Sequence, residues 1–278
     1  MGHFTASDGA SLAFEDEGIG RPLLLLHGLM AHAGFFEPQR SLADDFRLIR
    51  LDLRGHGQSP GDTGSLSVER LAADVAELSA ALDLEDAIVV GWSLGASVLF
   101  RLLAGPQSHR FAGAAVIDMT ARVLNDESWA LGLSGELCAA RSDAIREDFP
   151  AFAAAAGAAI FAQPVAEEKR GLADWAGAEF QRNDAASIGA LWTSLVAEDV
   201  RPLLGRIRQP TLVLHGAQSH LYGSGTAAHL VEAMPNARAF AFQDSGHAPH
   251  LEEPELFNRI LRDFAASLPR VREAQTAE

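Results

Sequence analysis

Cysteine is almost missing from this chain, where Cys138 is the single thiol among 278 residues. That excludes an internal disulfide and any thiolate metal cluster, and an isolated cysteine in an Ala-rich stretch reads as a small buried hydrophobe rather than a nucleophile. Positive charge is also scarce, with 22 Lys plus Arg against 37 Asp plus Glu and a formal net charge of −15. Without a basic cluster, phosphate backbones and anionic lipid have no electrostatic reason to bind, so neither nucleic acid nor a membrane is an expected partner. Long hydrophobic runs are absent too. The longest purely aliphatic one, Leu23 to Leu26, is far too short to cross a bilayer. The start, Met1-Gly2-His3-Phe4, lacks the positive stretch and apolar stretch of a secretory leader, and a cytoplasmic location is expected.

What the chain does have is core material. Hydrophobic residues make up 48% of it, and at this length a compact fold buries roughly 70–75% of its unfolded surface, which excludes global disorder. Short apolar runs alternate with longer helical patterns, the mark of strands joined by crossover helices in a mostly parallel sheet, so the fold class is α/β. Phe4 to Asp16 reads as a hairpin turning at Ser7-Asp8-Gly9. Central strands are expected at Leu23 to His27, Leu48 to Asp52, Ala87 to Trp92 and Ala114 to Asp118. Two more follow at Thr211 to His215 and Ala239 to Gln243, before a closing amphipathic helix from Glu255 to Leu268.

Between Thr120 and Asp199 the pattern changes to Ala-rich helical stretches carrying Trp129, Phe149, Phe152, Phe161, Trp175, Phe180 and Trp192. Each aromatic taken singly fits a plain helical core. Their number in one insertion after the end of a strand favours an apolar lid over a pocket. The expected organisation is a core of residues 1–119 and 200–278 with a helical cap over 120–199. The tail from Arg270 to Glu278 is polar and reads as frayed.

Chemistry in such a sheet gathers at the carboxyl ends of the strands. The most specific signal there is Gly91-Trp92-Ser93-Leu94-Gly95, which follows the apolar strand and opens a helix over Ala96 to Ala104. A sharp turn of this kind exposes the Ser93 hydroxyl as a nucleophile, and the helix start leaves the Leu94 N–H free for an oxyanion. The competing reading is a purely structural tight turn. His27-Gly28-Leu29-Met30 ends the first central strand, and a second oxyanion donor is assigned to the Leu29 N–H. His27 itself reads as a buried brace for that loop. Asp52, Arg54 and His56 in Asp52-Leu53-Arg54-Gly55-His56-Gly57-Gln58-Ser59 look catalytic, yet local hydrogen bonding that fixes a tight loop is the better use of all three.

Ser245-Gly246-His247-Ala248-Pro249 lies between the last strand and the last helix. Imidazole titrates near neutrality, and a loop can carry it to the serine, so His247 is the expected general base. His215 reads as packed at a strand end, while His109, His220, His229 and His250 carry no matching context.

Through HGLM, DLRGHGQSP, GWSLG, PTLVLHG and SGHAPHLEEPELFN the sequence resembles the α/β-hydrolase superfamily with a helical cap, along essentially its whole length. That resemblance implies an eight-stranded, mostly parallel sheet flanked by helices, a cap inserted after the sixth strand and a Ser-acid-His triad in that chain order. It needs no cofactor and no metal. One departure stands out: most relatives carry the acid after PTLVLHG, but Ala217-Gln218-Ser219-His220-Leu221-Tyr222 holds no carboxylate. Asp118 at the end of the strand beside the elbow strand is the favoured acid, since some members of the superfamily place it there. Its competing role is to cap the first cap helix. Asp244 reads as a turn stabiliser and Asp199 as a helix cap.

A serine rather than a carboxylate at the elbow argues against haloalkane dehalogenase and epoxide hydrolase chemistry. The expected activity is hydrolysis of small to medium apolar carboxylic esters or lactones, with Trp92, Met119, Trp129, Trp192 and Tyr222 as candidate substrate contacts. The same triad also serves cleavage of carbon–carbon bonds in diketones and of thioesters. A slow-turnover, ligand-binding signalling protein is a reading from another class, marked by a partner that binds only with ligand present.

Overall fold

The computed structural model describes residues 1–223 and 225–269, so the tail read as frayed lies outside the described residues. Eight strands form one sheet: β1 (Gly2–Thr5), β2 (Ser11–Glu17), β3 (Arg21–Leu26), β4 (Phe46–Leu51), β5 (Ala87–Trp92), β6 (Phe111–Ile117), β7 (Thr211–Gly216) and β8 (Ala237–Phe242). Their spatial order is β1-β2-β4-β3-β5-β6-β7-β8. The β1–β2 hairpin pairs antiparallel onto β4, and every later neighbour is parallel.

The central strands read as unbroken apolar runs because helices cover both faces of a parallel sheet. All six residues of β5 are buried, whereas the edge strand β1 alternates between half-buried and exposed positions. Between and after the strands lie α1 (Val68–Ala81), α2 (Leu94–Ala104), α3 (Gly135–Glu147), α4 (Phe149–Ala159), α5 (Arg170–Phe180), α6 (Ala185–Ala197), α7 (Arg201–Leu204), α8 (Thr226–Ala233), α9 (Pro249–Glu252) and α10 (Pro254–Ser267). Among the described residues no helix is long and apolar enough to cross a membrane.

Two local expectations differ from the structure. His27, Asp52 and Asp118, read as last strand residues, fall one position past the ends of β3, β4 and β6. There the chain turns off the sheet; Asp118 takes φ 41°, although its N–H still donates to the Leu214 carbonyl at 2.8 Å. Nor does a helix begin at Thr120. Residues 118–134 run irregularly, stitched by single bridges such as Arg122 to Asp199 and Asp126 to Trp129, and α3 starts at Gly135 with Ser134 as its N-cap. Asp118 therefore caps no helix.

Candidate active site

Ser93 sits between β5 and α2 with φ 53° and ψ −116°, in the half of backbone space that side-chain-bearing residues avoid. Such a conformation costs on the order of 1–3 kcal/mol and persists only where its surroundings enforce it. Here they do. The Ser93 N–H donates to the Ile117 carbonyl at 3.0 Å, continuing the sheet ladder past the strand end. A Cβ on Gly91 would strike the Gly95 carbonyl, and one on Gly95 would strike the Leu26 carbonyl, so both flanking glycines are demanded by close backbone approach.

The loop after β3 abuts this turn. A Cβ on Gly28 would lie 3.2 Å from the Ser93 Cβ, so this loop passes close beside the serine. The loop is braced from three sides. Buried His27 donates through Nδ1 to the Gly28 carbonyl at 2.8 Å and accepts the Leu53 N–H on Nε2 at 2.9 Å. Asn183 donates to the Met30 carbonyl at 2.6 Å, and His32 pairs with Glu179 at 3.1 Å, both from the end of α5 and its exit. Among the described residues the Leu29 and Leu94 N–H groups have no protein acceptor. Leu29 lines the cavity described below, and Leu94 opens α2.

Across the sheet, His247 Nδ1 meets Asp118 Oδ2 at 2.6 Å, with both residues buried. Because a carboxylate only accepts, Nδ1 carries the proton and Nε2 is left as an acceptor. The same carboxylate oxygen accepts the Ser219 hydroxyl at 2.7 Å. Ser219 thus stands in the loop after β7 that lacks a carboxylate and ties that loop to Asp118. No hydrogen bond joins Ser93 to His247 among the described residues; the two face one cavity, and such contacts commonly tighten only when substrate binds.

The histidine loop is held by acids that sequence reading passed over. Glu252 accepts the Gly246 N–H at 2.6 Å and the Ala162 N–H at 2.8 Å, while Glu253 accepts the Ser245 hydroxyl at 2.5 Å. Burial raises the Glu252 carboxyl, against the pull of those two N–H groups and Lys169. Asp244 stabilises the turn through its backbone, not its carboxylate: its N–H donates to Glu253 and its carbonyl accepts from Lys169. The Trp92 indole donates to the His247 carbonyl at 2.9 Å, so Trp92 holds the His247 backbone besides lining the cavity.

Three other histidines are poorly suited to proton transfer. Burial pushes His27, His56 and His250 down to about 3, which leaves them neutral and weakly basic. Asp52 and His56 do brace their loop, through the Ala33 and Gln58 N–H groups and the Arg54 carbonyl. Arg54 differs from expectation: it reaches out of the loop to Asp74 and Asp8. Asp199 accepts the Arg201 N–H at the start of α7, and Cys138 is buried, its thiol pushed up by burial.

Ser93 and His247 open onto a cavity of about 260 Å³ whose other walls come from the loop after β3 and from α3, α4, α5 and α6. Of the candidate substrate contacts, Trp92, Trp192 and Tyr222 line it. Burial raises the Tyr222 phenol, opposed in part by the positive charge of Arg141. Met119 and Trp129 do not reach the cavity. Met119 stands behind Tyr222, whose hydroxyl donates to its sulfur at 3.3 Å, and Trp129 packs edge-on against His229 with its indole donating to the Arg122 carbonyl. The irregular backbone before α3 turns both away, which helical spacing from Thr120 could not foretell. Phe152 and Phe180 from the aromatic insertion line the cavity as well, and so do Arg141 and Ile160, which no sequence signal marks. A larger groove of about 530 Å³ lies beside His32, Asp52 and Asp184, but its Ser59 is buried and donates to the Asp52 carbonyl.

Among the described residues no group of three or more His, Cys, Asp or Glu side chains is placed to hold a metal ion. Comparison with known proteins adds the lineage. The chain is 28% identical over 276 residues to the AB hydrolase superfamily protein YisY of Bacillus subtilis, covering 96% of this chain and all of that one. It is also 28% identical to a pimeloyl-[acyl-carrier protein] methyl ester esterase of Xanthomonas campestris pv. campestris, over 91% of this chain and 98% of the relative. An esterase from Exiguobacterium antarcticum superposes with a TM-score of 0.90 at 25% identity, over 96% of this chain and 100% of that one. A model of the alpha/beta hydrolase family matches residues 23–260, which together with the strand order and the elbow shows that the chain belongs to that family.

Proposed function

We propose that the protein is a carboxylic ester hydrolase, lactones included, acting on small to medium apolar substrates through an acyl-enzyme on Ser93. The 2.6 Å pairing of His247 with Asp118 at the wall of the cavity that Ser93 shares carries this reading. His247 Nε2 takes the Ser93 proton as Oγ attacks the carbonyl, and the Leu29 and Leu94 N–H groups hold the oxyanion. Each such donor is worth roughly 10²–10³ in turnover. Imidazolium then protonates the leaving alcohol, Asp118 stabilises that cation, and water activated by His247 releases the acid. The esterase relatives and structural neighbours support this class of reaction. A fluorinated or p-nitrophenyl organophosphonate is expected to add one phosphonyl group per chain, at Ser93, with loss of p-nitrophenyl ester hydrolysis in step. Labelling elsewhere, or turnover of a ring-cleavage diketone in place of esters, overturns the assignment.

Residues 120–199 act in this reading as the lid that shapes the acyl site, and a cavity near the low end of ligand-site volumes restricts chain length. Trp192→Ala is expected to shift the optimum towards longer acyl chains, changing the long-to-short ratio of kcat/KM about 10-fold, in the range of one or two methylenes. Trp129→Ala, which opens no cavity wall, is the control. Identical chain-length profiles for both variants and the parent would count against the lid.

A further inference from the structure

We infer that the ester taken by the Ser93 site carries a carboxylate remote from its scissile carbonyl, and that Arg141 receives that carboxylate. This rests on the hydrolase reading above and narrows its apolar substrates to those whose apolar spacer ends in a carboxylate. Arg141 lies on α3 three residues after Cys138 and four before Ile145, the two buried positions of that helix, so it occupies the inward stripe where an apolar residue is the rule. It lines the cavity with Ser93 and His247, among otherwise apolar neighbours such as Phe152, Ile160 and Leu195. Its guanidinium carbon stands 5.7 Å from the centre of the Trp192 ring, a cation–π distance that holds the side chain against the cavity wall. Its charge is felt there, since it favours the ionised forms of both Tyr222 and Cys138, against their burial.

No protein carboxylate pairs with Arg141 among the described residues, although acids outnumber bases 37 to 22 in this chain. Arg146, one turn further along the same helix, takes Asp143 and Glu147, and Arg182 and Arg101 have Glu179 and Glu198. A guanidinium drawn into an apolar cavity loses hydration that a carboxylate would replace with two charge-assisted hydrogen bonds. With protein acids in excess and none at this position, the missing anion comes from the ligand. One guanidinium balances one carboxylate. A phosphate dianion entering a chain of net charge −15 would need further cations, and among the described residues Arg141 is the sole Lys or Arg on that wall. Arg141 comes from the helical layer and Ser93 from the sheet, so an apolar spacer across a cavity of about 260 Å³ links the two functional ends of the substrate.

The test compares monomethyl esters of straight-chain dicarboxylic acids with methyl esters of monocarboxylic acids of equal length, as the ratio of kcat/KM values. The parent is expected to favour the half-ester at least 10-fold at one spacer length. Arg141→Met, which keeps an apolar stem, should lower that ratio about 10- to 100-fold, and Arg141→Lys should retain part of it, as for hydrogen bonds to a charged group. A parent ratio at or below one for every length, or an Arg141→Met ratio equal to the parent's, overturns the inference while leaving ester hydrolysis standing. Calorimetric titration of Ser93→Ala with the same ligand pairs separates the two readings. If no ester is hydrolysed the hydrolase reading falls, and the inference is then decided by binding: tighter half-ester binding abolished by Arg141→Met upholds it, and equal binding of the pair overturns it.

Discussion

Ser93→Ala is expected to lower ester turnover by roughly 10⁵-fold or more, the scale on which a serine hydrolase loses its nucleophile. Covalent labelling by an organophosphonate should disappear with it. The fold should survive, because the Ser93 hydroxyl caps no backbone group of α2 and the strained turn is enforced by backbone hydrogen bonds and two glycines rather than by the side chain. Thermal unfolding within about a degree of the parent, measured alongside the kinetics, would separate lost chemistry from lost structure. An alanine variant that is still labelled stoichiometrically, or that turns over esters within 100-fold of the parent, would remove Ser93 from its assigned role.

The second large effect concerns the acid. Asp118→Asn preserves size and the capacity to contact His247, but an amide that donates to Nδ1 favours the tautomer with its proton on Nε2, where the base must be bare. In serine proteases the matching change lowers turnover about 10⁴-fold. A loss of 10²- to 10⁴-fold is expected here, with unchanged labelling stoichiometry at long times and little change in stability. Helix capping offers no alternative account, since the nearest downstream helix begins at Gly135. Ser219 makes a rescue feasible: its hydroxyl lies 2.7 Å from the same Asp118 oxygen that His247 contacts at 2.6 Å. Adding Ser219→Asp to Asp118→Asn should recover part of the lost rate. Near-full activity in Asp118→Asn alone would show that the carboxylate does not orient the base.

Some of this protein was determined by sequence alone, because the relevant physics is local. Burial on both faces makes parallel strands read as unbroken apolar runs, and β5 is buried end to end. The elbow is only partly local: a Cβ on Gly91 would meet the Gly95 carbonyl four residues on, whereas one on Gly95 would meet Leu26 at the end of the neighbouring strand β3. The absence of a carboxylate between Ala217 and Tyr222 is a sequence fact as well, and it leaves Asp118 as the favoured acid at a strand end.

Tertiary structure alone decided the rest. Asp118 and His247 are 129 residues apart, and their contact follows from the placement of β7 between β6 and β8, which brings the loops leaving β6 and β8 together at one end of the sheet. Sequence spacing reports which face a side chain takes on its own helix or strand, but not which loop crosses it. Met119 and Trp129 leave the cavity because the backbone from 118 to 134 is irregular, with no period from which a direction can be read. Arg141 enters it for the complementary reason. On α3 it is one more cation on a polar helix, and the packing of α3 is what makes it line the cavity that Ser93 shares.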